Sequence, residues 1–184
     1  MHVCPKRKQK LSNYLPKTKK IAIATIFGTI IFILKMGLPT PIDKMFVIIE
    51  ALLLALGSLL LGRMGATHVA TVGGLLMTVW RVAYAPFSLI FAVVYGVLVD
   101  GLFHVFQVRA SHGEVKTSRL VASLTLSTAA VGLLSTYIIV SIGWMPMIPI
   151  LYLIIVVVGI ANGAAAGYLA SFIWKRYLIH YTWG

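Results

Sequence analysis

A single carboxylate, Glu50, interrupts the apolar run 46–61 (FVIIEALLLALGSLLL). In a membrane-crossing helix such a group costs roughly 2.5–3.5 kcal/mol. Its presence calls for compensation by a base, a water-filled cavity, a proton or a ligand. Two bases, Lys35 and Arg81, lie near the ends of neighbouring apolar runs, with the rings of Trp80, Tyr84 and Trp144 at matching positions. Such a mixture suits a small polar molecule: charges fix its orientation and rings stack on its flat faces. The same residue types also serve ordinary interface chemistry, because Trp and Tyr form belts and Lys or Arg snorkels to water. Glu50 has a shorter reach. For it, the structural competitor of a ligand is an ion pair with Arg81.

Other polar groups sit deeper or on the opposite side. Asp100 and His104 are four residues apart and so share one helical face. That spacing can hold a metal or relay a proton, yet zinc usually takes at least three protein ligands. His68 supplies a third only if its helix packs on theirs, and a local hydrogen bond is the plainer account. Asn162 lies inside the last apolar run beside Gly159, Gly163 and Gly167, a smooth stripe repeating every four residues. Small residues let helix backbones approach closely where no hydrophobic effect drives association. The stripe therefore serves helix packing, either within the chain or against another subunit. Ala24 and Gly28, with Ala22 nearby, form a shorter version in the first run. There is no phosphate-binding loop, nucleophile–base motif or metal cluster, so neither enzymatic activity nor a cofactor is expected.

The elements that must position these groups are helices in lipid. Of 184 residues, 60% are hydrophobic and 11% charged, and mean hydropathy is +0.96. A soluble domain would carry about 25% charged residues. A hydrocarbon core of ~30 Å needs about 20 helical residues. The sequence predicts an all-α integral membrane protein with six transmembrane helices at about 20–37, 46–62, 67–83, 87–107, 119–142 and 147–174. A basic tail (1–19) precedes the helical domain (20–176), and a short tail (177–184) follows. Pro39 and Pro41, Gly62-Arg63, Pro86, the polar segment 109–119 (RASHGEVKTSR), and Pro146 and Pro149 mark the breaks.

The net charge of +12 would suggest nucleic acid in a soluble protein. Here the bases flank apolar runs, so they set topology and meet lipid headgroups, and no nucleic-acid partner is expected. With the N-terminus inside, Lys35, Lys44 and Arg81 fall outside and the other thirteen of the 16 Lys and Arg residues fall inside. Both termini are then cytoplasmic. Glu50, Lys35, Trp80, Arg81, Tyr84 and Trp144 lie toward the outer face, and Asp100, His104 and His68 toward the inner one.

On these features the chain resembles the substrate-binding S components of energy-coupling factor transporters. The basic tail, the small residues Ala22, Ala24 and Gly28, the stretch 50–74 (EALLLALGSLLLGRMGATHVATVGG), and Ala85-Pro86 followed by 89–101 (LIFAVVYGVLVDG) are similar in order and placement. The first outer loop, 38–44, is short for one that caps a substrate in that family. The resemblance implies capture of a vitamin or related micronutrient from outside and association with a transmembrane scaffold and two ATPase subunits. The loaded subunit would then topple in the membrane to release its cargo. Ala22, Ala24 and Gly28 would form the docking surface. Glu50, Arg81, Trp80, Tyr84 and Asn162 would line the pocket. Two other classes fit the residues: a non-catalytic structural subunit of a larger membrane complex, and a metal-dependent membrane enzyme built on Asp100, His104 and His68.

Overall fold

The computed structural model describes residues 16–37, 47–80, 85–108, 115–143 and 149–178. Among them are six α-helices and no strand: α1 (Lys17–Met36), α2 (Val47–Leu61), α3 (Gly65–Trp80), α4 (Ala85–Val105), α5 (Thr117–Ser141) and α6 (Pro149–Ile173). A wider π-type turn, Trp174–Leu178, continues α6. The helices run alternately up and down. Lys35 near the end of α1 meets Glu50 at the start of α2, and Tyr95 of α4 meets Thr128 of α5. Thr117 at the start of α5 meets Ser171 near the end of α6.

Each helix has a sequence reason. α1 starts three residues before the expected position, at Lys17. Pro16 stands just outside it, and Lys17, Lys19 and Lys20 are good helix formers that need not enter lipid. α2 and α3 are joined by a tight reversal in which Gly62 and Met64 adopt positive φ (88° and 65°). α4 opens on Ala85-Pro86, where a missing N–H costs nothing.

Three segments are long and apolar enough to cross a membrane: Pro86–Val105, Thr117–Ser141 and Tyr152–Leu178. α2 is apolar but shorter. Its 15 residues span about 22 Å at 1.5 Å per residue. α2 is also the most enclosed helix, with Ala51, Leu53, Leu54, Ala55, Leu56, Leu59 and Leu61 all buried. The other helices turn large apolar side chains outward, including Ile21, Ile26 and Ile33 of α1, Val79 of α3 and Ile150, Leu153 and Val157 of α6. Apolar residues on the outside of a bundle suit lipid rather than water.

The closest helix contacts use the small residues. α5 and α6 form the most extensive pairing, followed by α3 with α4 and α3 with α1. A Cβ at Gly163 would stand 2.6 Å from the Thr125 Cα, and one at Gly167 would stand 2.7 Å from the Val121 Cα. A Cβ at Gly159 would lie 3.2 Å from the Ala129 Cα. The α6 stripe is therefore filled by α5 of the same chain. On α1, a Cβ at Gly28 would lie 2.7 Å from Val72 Cγ1 and 3.0 Å from the Gly73 nitrogen of α3. Ala24 and Gly28 are buried inside the fold because their small size lets α3 approach, while Ala22 stays exposed.

Candidate functional site

Glu50 lies in the first turn of α2 and Lys35 in the last turn of α1. The Lys35 ammonium is 2.5 Å from the Glu50 carboxylate, and the two side chains are only 20% and 12% exposed. Antiparallel neighbours bring these helix ends together. Each charge also matches its helix dipole, an anion at an N-terminus and a cation at a C-terminus. Sequence analysis gave Arg81 as the competing partner. Arg81 and Tyr84 lie outside the described residues, and so does Trp144. The partner the structure shows is Lys35.

Tyr95 of α4 is 4% exposed. Its hydroxyl and the Thr128 hydroxyl are 3.1 Å apart, and Thr128 also donates to the Leu124 carbonyl at 2.7 Å. Tyr95 and Thr128 thus form a buried polar link at the seam between α4 and α5. Sequence reasoning missed both, since 33 residues separate them and each looks ordinary in an apolar helix. Trp80, the last residue of α3, is 53% exposed, and Asn162 is half-buried on α6. The structure therefore brings Glu50 together with Lys35, and it leaves the Trp80 ring at the surface.

Comparison with protein-family models, with curated proteins and with solved structures finds no match for this chain. The reading of the site rests on its own geometry.

At the other end, Asp100 of α4 reaches across to the start of α3. Its carboxylate accepts from the Ala66 N–H at 3.2 Å, the Thr67 N–H at 2.8 Å and the Thr67 hydroxyl at 2.7 Å. It is a helix cap supplied by a neighbouring helix. α3 needs one, because Met64 stands where a Ser, Thr, Asp or Asn would ordinarily cap. An uncapped helix start and an acid on the next helix were the available signal. His68 is exposed, with its Nδ1 2.6 Å from the Met64 carbonyl oxygen, and His104 is exposed too. Among the described residues no three His, Cys, Asp or Glu side chains gather as a metal site.

Proposed function

We propose that this chain is the substrate-capture subunit of an importer of the energy-coupling factor type. In this reading it is a six-span bundle in the cell membrane with both termini inside. It binds a vitamin or related micronutrient from outside and hands it to separate scaffold and ATPase subunits. The carrying observation is the Lys35–Glu50 pair, a largely enclosed pair of charges at one end of an apolar bundle. Burying two charges gains little stability over packing apolar side chains of similar size. A site that must orient a polar ligand gives such a pair a use. Arg81, Tyr84 and Trp80, close together in the sequence, would complete the pocket with Asn162 of α6.

The outward arrangement of apolar side chains supports a multi-pass placement, and the alternating helix directions support an even number of crossings. Because α3 occupies the Ala24–Gly28 face of α1, docking to a scaffold would use the outward α1 stripe that begins at Ala22 and continues through Ile26 and Ile33.

The test is affinity purification of the tagged full-length chain from its native membranes. The reading expects a second integral membrane protein and ATPase subunits to copurify, with addition of ATP changing the association. Stable recovery with membrane partners that lack any ATPase would favour the structural-subunit class instead.

A further inference from the structure

The opposite corner of the bundle, where α5 begins and α6 ends, carries a differently charged arrangement. Ser171, 2% exposed on α6, shares a 2.7 Å hydrogen bond with the Thr117 hydroxyl on α5. The Lys175 ammonium donates to the same Thr117 oxygen at 2.8 Å. This contact fixes the lysine at the α5–α6 seam while leaving two of its three N–H donors unused by Thr117. Arg176 lies over the Phe172 ring with its guanidinium carbon 5.8 Å from the centroid. Lys116, exposed, immediately precedes Thr117. Among the described residues none of these three bases has a carboxylate partner; the one ion pair there is Lys35–Glu50. The described stretches 115–119 and 171–178 hold Lys116, Arg119, Lys175 and Arg176 and no acid, so the corner carries a positive excess among the described residues.

An apolar track leads into this corner. Tyr168, Leu169 and Phe172 are 64%, 42% and 48% exposed; Tyr168 and Leu169 stand four and three residues before Phe172 on α6, and the track ends under Arg176. A base cluster alone would suit any small anion. A base cluster at the foot of an exposed apolar track suits an anion that carries hydrocarbon.

We propose that Lys116, Lys175 and Arg176 form a binding site for the headgroup phosphate of one anionic phospholipid, whose acyl chains lie along the Tyr168–Leu169–Phe172 track. Lys175 and Lys116 supply point charges to the phosphate, and Arg176 supplies planar donors from its stacked position. Arg and Lys at such a surface each strengthen attraction to anionic lipid severalfold. The site depends on the chain lying in a membrane but not on its binding a micronutrient, so it stands or falls apart from the transport reading.

The test uses the full chain, delipidated in neutral detergent and titrated with phosphatidylglycerol or phosphatidylcholine under native mass spectrometry. Wild-type protein is expected to retain one phosphatidylglycerol in preference to phosphatidylcholine. Lys175→Gln/Arg176→Gln should weaken that retention roughly 10- to 30-fold. Both positions are exposed, so folding is expected to survive, and gel-filtration elution checks it. Lys6→Gln/Lys8→Gln removes the same charge from the N-terminal tail and should change retention less than about twofold. Arg176→Lys keeps the charge but loses the planar stack, and is expected to fall between wild type and the double variant. Equal losses from the two double variants would overturn the site in favour of diffuse attraction. Displacement of the lipid by millimolar inorganic phosphate would overturn the lipid assignment.

Discussion

Removing one member of the Lys35–Glu50 pair should cost very different amounts depending on which member is removed. At 2.5 Å and low exposure the two charges are strongly engaged. Breaking a buried pair by deleting one partner costs about 3–5 kcal/mol when the other charge stays trapped. Lys35→Gln strands Glu50, whose short side chain in the first turn of α2 has little means of reaching water. Its expected cost is about 3 kcal/mol. Glu50→Gln removes that carboxylate from Lys35 instead, but a lysine in the last turn of α1 can extend its four-carbon stem past Met36 to the surface. That loss should be about 1 kcal/mol. The double variant replaces two charges with two amides and should cost about 2 kcal/mol, less than the sum, leaving a coupling of about 2 kcal/mol. The assay is equilibrium unfolding in mixed micelles, read by helical circular dichroism across a titration with sodium dodecyl sulfate. Additive losses, or equal losses from the two single variants, would refute both the pairing and the snorkelling argument.

Other substitutions probe the helix contacts. Asp100→Ala removes three hydrogen bonds and the charge facing the α3 N-terminus, and should lower stability by about 3 kcal/mol in the same unfolding assay. Asp100→Asn, which keeps one acceptor, should lose about half as much, and a neutral Asp100→Ala would dispose of the cap. Gly163→Leu drives a side chain into the Thr125 backbone and should prevent recovery of monodisperse protein in size-exclusion chromatography. Gly163→Ala, with less to accommodate, should cost about 1–3 kcal/mol. Tyr95→Phe deletes one side-chain hydrogen bond while Thr128 keeps the Leu124 carbonyl, so its loss should be near 0.6 kcal/mol. A much larger Tyr95→Phe effect would mean that the hydroxyl contributes more than its bond to Thr128.

The helices themselves were legible because lipid imposes long apolar runs and the breaks fall at Pro, Gly and charge. Their ends moved by only a few residues, for identifiable reasons. Lysines extend α1 at its start. α3 begins at Gly65 rather than 67 because Asp100 supplies a cap from outside. The last helix continues into a turn that buries Trp174. Partners across the bundle were much less legible. Hydropathy and charge order give a residue's depth but not the direction its side chain takes around the helix, so Glu50 and Lys35 could be assigned the same end but not paired. For the same reason the small residues Ala24 and Gly28 did not show that α3 packs against them. The Gly159, Gly163 and Gly167 stripe announced a close contact without saying that α5 makes it. Tyr95 with Thr128 gave no sequence signal, since pairing between distant apolar helices depends on packing that a single chain's periodicity does not encode.

The central claim is that the Glu50 end of the bundle captures a small molecule. Native mass spectrometry of full-length protein purified gently from its own membranes tests it directly. The account predicts a single adduct of vitamin-like mass, near one per chain, that disappears in folded Glu50→Gln protein and persists in Lys175→Gln/Arg176→Gln protein. Retention of the same adduct at full occupancy in Glu50→Gln protein, or wild-type protein that remains empty after exposure to an extract of its growth medium, would contradict it.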